Sequence, residues 1–339
     1  MGRLAVCVLV LQAWLTGQQP SFRVQAKVVQ VPVTVTERHG RSVSGLKADD
    51  FKVLDDGQEQ PITVDDLGTG LPRISLAILV QTSGISMPAL KKIRRIGSMV
   101  VPLVIGSHGE AAVVTFDNKI TWLQDFTSDD DKIAAAVNNL KASPVSDQAR
   151  MLDAIVDAAA HMEPVQGRKM LLLISESRDR GSETKFQEAL KAVEAQGIEV
   201  FGAHYSAFAT SLGAKPKDLP QQPSSPPEDP TDGPPSAPGI DFTAMVWEIG
   251  RLGKTNAVQA LTRATGGIDY PFLKERGIES SIGKLGAEVQ NQYILSFPQR
   301  QDTPGMHQIM VSLPDLPGLE IRARRGYWVE TNGSFWLRK

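Results

Sequence analysis

The chain has 339 residues, enough for two domains or for one domain with a large insertion. With 41% hydrophobic and 22% charged residues it has the make-up of a folded globular protein. Its net charge of −2 and its scattered basic residues argue against nucleic acid or an anionic membrane surface as partner.

The N-terminus, MGRLAVCVLVLQAWLTGQQP, places Arg3 before an apolar run from Leu4 to Trp14. That run is too short for a bilayer core of about 30 Å, which needs about 20 apolar residues. It reads as a secretory signal peptide over residues 1–19, with Thr16-Gly17 as the cleavage region, although Trp14 and Leu15 stand where small residues are preferred. The expected destination is secreted or periplasmic. Cys7, the single cysteine, lies inside this run. After cleavage no disulfide, cysteine metal site or cysteine nucleophile is possible. No later segment is long and apolar enough to read as a membrane helix.

Residues 22–72 read as a β-region. Val29, Val31, Val33 and Val35 recur with a period of two. The stretch FKVLDDGQEQPITVDDL reads as strand, Asp-Gly turn, strand. Its acidic residues, with Asp49 and Asp50 before Asp55 and Asp56, lack the spacing of a calcium-binding EF-hand and read as hairpin. This region is small for a core of its own.

Residues 73–292 alternate between strand and helix. A strand over 74–80 precedes a helix over about 87–104, whose basic run KKIRR reads as a solvated face. EAAVVTFD and ITWLQDF are strands joined at Asn118-Lys119. DDDKIAAAVNNLK starts with aspartates, as the helix dipole favours. ARMLDAIVDAAAHM is an amphipathic helix. KMLLLISES is a continuous apolar strand of the kind found inside parallel sheets. A helix ending at Gly197 and the strand IEVFGAHYS follow. This alternation predicts a mostly parallel sheet with helices on both faces. Residues 213–240 interrupt it with nine of the chain's 22 prolines, a composition that suits neither a core helix nor a central strand. That insertion reads as a solvated spacer with polyproline II character. Two further helices follow it.

Residues 293–330 return to β, as YILSFPQ, HQIMVSLP and LEIRARRGYWVE, with DTPG and DLPG as turns. Each β flank alone would expose an apolar face, so 293–330 is expected to pair with 22–72 into one small sandwich. Two separate β-domains are the alternative. The tail, 331–339, carries Phe335 and Trp336, which are expected to dock on the sandwich.

Five pieces in order carry a family resemblance: AILVQTSGISM, EAAVVTFDNKITWLQDFT, ARMLDAIVDAA, KMLLLISESRDRGS and IEVFGAHYS. Over residues 73–292 the chain resembles the von Willebrand factor A domain. With its β flanks it resembles bacterial proteins related to that domain, typified by acidobacterial sequences. The resemblance implies a Rossmann-like α/β domain, inserted in or flanked by the sandwich. It also implies a site at the carboxyl ends of the strands, where open α/β sheets collect ligands. In that family an Asp-x-Ser-x-Ser loop, a Thr and an Asp hold a magnesium ion, and a partner protein completes the shell.

This chain departs from that pattern. Gln81 stands for the leading Asp, Ser83 matches the first Ser, and Ile85 stands for the second, with Ser86 one residue on. Ala149 stands for the Thr, Glu176 for the final Asp, and Ser177 for the usual Gly. Magnesium wants hard oxygen ligands including carboxylates. A close charge pair is worth about 4 kcal/mol at an effective dielectric near 20, so a lost carboxylate outweighs a lost hydroxyl. The expectation is an exported, non-enzymatic protein-binding domain without a cofactor, its binding edge formed by Gln81, Ser83, Ile85, Ser86, Ala149, Arg150 and Glu176. One alternative retains a weak magnesium site on Ser83, Ser86 and Glu176. Another is a hydrolase using Ser83. QTSGI, however, lacks the Gly-x-Ser-x-Gly elbow, and His39, His108, His161, His204 and His307 have no motif partners. No nucleotide-binding or zinc-protease motif is present.

Overall fold

The computed structural model describes residues 27–65, 73–83, 86–143, 148–205, 256–272, 275–300 and 303–330. The expected signal peptide, the proline-rich insertion, the tail aromatics and Ile85 lie outside the described residues.

A six-stranded sheet forms the centre, in the order β10-β9-β8-β5-β6-β7. Its strands are β5 (Ile74–Gln81), β6 (Glu110–Phe116), β7 (Ile120–Thr127), β8 (Arg168–Ser175), β9 (Glu199–His204) and β10 (Asp269–Pro271). All neighbours are parallel except β6 and β7. Every residue of β5 is buried, and β8 is buried at all but one position, which is why both read as unbroken apolar runs. β7 is the antiparallel edge and is partly exposed along its length. Successive side chains point to opposite faces. Leu76, Ile78 and Val80 pack with Leu90, Ile93 and Ile282 on one face. Ala77 and Leu79 pack with Ile155, Val193 and Leu261 on the other. This is the mostly parallel, doubly covered sheet that the resemblance implies.

Among the described residues the helices are α1 (Met87–Ile93), α2 (Gly97–Val100), α3 (Asp130–Asn138), α4 (Met151–His161), α5 (Phe186–Ala195), α6 (Ala257–Thr265) and α7 (Glu275–Gln290). The single helix expected over 87–104 is broken. A 3-10 turn separates α1 from α2, and a wide π turn spans Val101–Ile105. Pro102 stands in the first turn of this segment, where a missing N–H is tolerated. The Gly106 N–H reaches back to Val101 O at 2.9 Å.

Two four-stranded sheets lie beside this unit. One runs β13 (Leu319–Ala323), β1 (Val28–Glu37), β11 (Tyr293–Pro298), β4 (Thr63–Asp65). The other runs β14 (Gly326–Val329), β12 (Gly305–Ser312), β2 (Lys52–Asp55), β3 (Gln58–Glu59). Val31, Val33, Val53, Leu295, Phe297 and Ile309 share their core. Each sheet joins strands from before residue 66 to strands from after residue 292, as in Val31 opposite Leu295 and Val53 opposite Val311. Asp56 and Gly57 take φ of +49° and +80° in the two-residue turn between β2 and β3, the geometry for which Asp-Gly is suited.

Two strands expected as continuous are split. After β3 the chain passes Pro61 and enters the other sheet as β4. LEIRARRGYWVE breaks at Arg324-Arg325, so that β13 and β14 belong to different sheets. Arg324 is buried, and its guanidinium donates to the carbonyls of Gly326 (3.0 Å), Gln30 (3.3 Å) and Glu194 (3.3 Å). These three acceptors from separate elements hold the corner.

A buried polar network joins the sandwich to the α/β unit. Arg168 and Glu199 pair at 2.6 Å, with side chains 6% and 1% exposed. Gln292 donates to Glu199 at 2.8 Å and to Thr34 of β1 at 3.2 Å. Arg322 of β13 pairs with Glu288 of α7.

Candidate functional site

β5 ends at Gln81, and the chain turns at Thr82-Ser83 before α1. Gln81, Ser83 and Ser86 are fully buried. The main-chain N–H of Glu176, just past β8, donates to Gln81 Oε1 at 3.0 Å. A main-chain N–H can only donate, so the Gln81 oxygen must face it and the amide nitrogen must face the other way. That nitrogen donates to Ser83 Oγ at 2.8 Å. Ser86 Oγ accepts the Tyr205 hydroxyl at 2.6 Å. Burial pushes the Tyr205 phenol well above its ordinary range; the Ser86 bond opposes this and the nearby Glu176 carboxylate adds to it.

Glu176 pairs with Arg180 at 2.6 Å, and its side chain is only 6% exposed. The strand-like bridge of Ala149 with Arg180, two main-chain bonds of 2.9 Å, pins this loop against the start of α4. The Ala149 methyl lies in the hydrophobic core. Ser177 holds a left-handed φ of +66°, which explains why a Gly suits that position. Its N–H donates to Ser175 Oγ at 3.1 Å.

Arg150 donates to Asp153 at 2.7 Å and approaches Glu183 at 3.4 Å. Asp153 also accepts the main-chain N–H groups of Thr184 (2.9 Å) and Glu183 (3.2 Å). Burial pushes the Asp153 carboxyl up, but the bonds from Thr184, Arg150 and Glu183 outweigh it and hold the carboxyl below its usual range. Asp179 turns away from Gln81 and caps α4, accepting the Leu152 N–H at 3.0 Å.

Gln81, Ser83 and Glu176 are therefore brought together, whereas Ser86 is directed to Tyr205 and Ala149 to the core. The accessible charges at this edge are mixed: Arg178 is exposed, Arg150 and Arg180 have side chains 29% and 36% exposed, and Glu183, beside Arg150, is 83% exposed. Sequence reasoning missed Arg180 and Tyr205. The first stands four residues after Glu176 and the second directly follows β9, so both positions adjoin strand ends. Among the described residues, no histidine or carboxylate hydrogen-bonds Ser83. His204 pairs with Asp269 at 2.8 Å, and His161 packs on Trp122 with ring centroids 4.1 Å apart. No helix among the described residues is long and apolar enough to cross a membrane.

No protein-family model and no curated relative matches the chain. Among solved structures it is similar to BatB from Bacteroides thetaiotaomicron, at 16% identity and TM-score 0.42 over 65% of this chain and 98% of that one. An aerotolerance-related membrane protein from Bacteroides fragilis gives 16% identity and TM-score 0.40, over 65% and 100%. A von Willebrand factor type A protein from Catenulispora acidiphila gives 8% identity and TM-score 0.46, over 92% and 76%. The strand order and the helix-covered faces of the central sheet define the fold.

Proposed function

From a von Willebrand A-type α/β fold as premise, we propose that this is an exported, non-enzymatic protein that binds another protein at the C-terminal edge of its sheet without a metal ion. One observation carries the reading: Gln81 turns N–H, a donor, toward Ser83, and the Glu176 carboxylate is ion-paired with Arg180. A magnesium ion would need lone pairs converging there. This set offers a donor at one position and a guanidinium at another, and does not fit that ion. In place of a metal, the part-exposed guanidinium of Arg180, though paired with Glu176, and the exposed Arg178 offer N–H donors to an acidic partner group. The proposed organisation has residues 1–19 as a signal peptide and 73–292 as a domain set within a sandwich of 22–72 and 293–330. The 213–240 insertion serves as a solvated spacer.

Thermal melting of metal-stripped protein with and without millimolar magnesium tests the metal-free edge. A native-state ligand at about 100 times its dissociation constant adds about 2.7 kcal/mol. The expected result is no shift. A rise that Glu176→Ala abolishes would overturn the reading in favour of a weak magnesium site. Partner retention is expected in a chelator and lost on combining Arg178→Glu with Arg180→Glu. N-terminal sequencing of protein recovered outside the cytoplasm tests export.

A further inference from the structure

We propose that Asp55, Asp56 and His307 form a binding site for a divalent transition ion of the zinc class, which staples the N-terminal flank of the sandwich to its C-terminal flank. Asp55 ends β2, Asp56 opens the hairpin turn, and His307 lies on β12, the strand paired with β2. One potential ligand atom from each lies within 4.8 Å of the other two.

His307 sets the geometry of the cluster. Its Nε2 lies 2.6 Å from the carbonyl oxygen of Thr303, which can only accept, so Nε2 carries a hydrogen. Nδ1 then faces two carboxylate oxygens, Asp56 Oδ2 at 2.8 Å and Asp55 Oδ1 at 3.9 Å. Three lone-pair-bearing atoms converge, and a proton or a metal ion held among them relieves their mutual repulsion. Asp55 supplies an independent sign. Its side chain is 0% exposed, and its Oδ1 has no hydrogen-bond partner among the described residues. A buried carboxylate oxygen left in that state is costly.

The ligands are also held from behind, as metal ligands are. Tyr327 OH donates to Asp55 Oδ2 at 3.0 Å, the Gln308 N–H donates to Asp56 Oδ1 at 2.8 Å, and His307 donates to Thr303. The Tyr327 ring stacks on the imidazole, with centroids 5.0 Å apart and planes 15° apart. A set of one imidazole nitrogen and two carboxylate oxygens favours zinc-class ions over magnesium or calcium, which prefer oxygen alone. Bonds of about 2.0–2.2 Å place tetrahedral ligands roughly 3.3 Å apart. The two nitrogen–oxygen separations bracket that value, so each carboxylate moves by about half an ångström on binding. Asp56 is 39% exposed, which gives the ion a path from solvent and leaves a fourth position for water. Arg300 lies 3.7 Å from Asp55 Oδ2 and 4.0 Å from Asp56 Oδ2, and its charge opposes a cation there, which weakens binding. The residues joined are 251 apart in sequence for the His307–Asp56 pair, so ion binding couples directly to closure of the sandwich.

The full chain, stripped of metal, is titrated calorimetrically with Zn²⁺ and spectroscopically with Co²⁺. One equivalent should bind, with a rise in Tm and the visible bands of a low-coordinate cobalt site. Asp56→Asn keeps the Gln308 bond on a part-exposed turn and should fold; it should weaken zinc about tenfold or more. Asp55→Asn, which keeps the Tyr327 bond, should do the same. Absence of Zn²⁺ and Co²⁺ binding by the unaltered chain at about 100 µM ion would overturn the proposal. Undiminished binding by a folded Asp56→Asn variant would overturn it too.

Discussion

The Oε1 atom of Gln81 accepts the main-chain N–H of Glu176 at 3.0 Å, which ties the C-terminal ends of β5 and β8 together. The same side chain donates to Ser83, so one neutral amide satisfies two buried groups. Gln81→Leu keeps the bulk and removes both bonds. It should destabilise the protein by about 1–3 kcal/mol, because a buried donor is left unpaired. Urea denaturation measures this, and a loss within error would mean that the amide is not a fastener of the edge.

The Arg168–Glu199 pair is nearly inaccessible. Removing one partner of such a pair strands a buried charge, so Glu199→Ala should cost about 3–5 kcal/mol. Replacing both, as Arg168→Met with Glu199→Leu, should cost clearly less than the single change. A double-mutant cycle by chemical denaturation gives the coupling.

Glu194 on α5 is buried, and burial pushes its carboxyl up to about 8 against the opposing pull of Arg324. A carboxyl raised in the folded state binds its proton more tightly folded than unfolded. Its contribution to stability is therefore fully present below pH 4.5 and is lost as pH rises toward 8. Within that window the fall is about 1.4 kcal/mol per pH unit for one group. Glu194→Gln should flatten this part of the stability–pH curve and raise stability at pH 7. An unchanged slope would assign the titration elsewhere.

Ser177 sits at φ +66° with its hydroxyl buried and lacking a hydrogen-bond partner among the described residues. A left-handed non-glycine residue costs about 1–3 kcal/mol. Glycine's greater unfolded freedom takes back about 0.5–1 kcal/mol. Ser177→Gly should thus stabilise by about 1 kcal/mol in thermal melting, and a lower Tm would show that the hydroxyl holds the loop.

Local periodicity carried the α/β class. The unbroken apolar runs at 74–80 and KMLLLISES, spaced by amphipathic helices, already specify central parallel strands, because a strand covered on both faces needs apolar side chains at consecutive positions. The Asp-Gly turn at 56–57 was legible for the same reason. The break in LEIRARRGYWVE was not, since nothing local distinguishes Arg324 from an outward arginine. Carbonyls from Gln30 and Glu194, far away in the chain, turn it inward.

The candidate edge divides in the same way. The family resemblance implies that Gln81, Ile85 and Ala149 stand where a magnesium site needs oxygen ligands, and the residue types then show that they offer none or a neutral one. Which groups take over their space cannot be read that way. The Arg180 charge on Glu176, the Tyr205 hydroxyl on Ser86 and the rotation of the Gln81 amide arise where three strand ends and two loops meet. Hydrogen-bond direction and charge pairing depend on distances between atoms far apart in sequence, and those distances exist only once the sheet has closed.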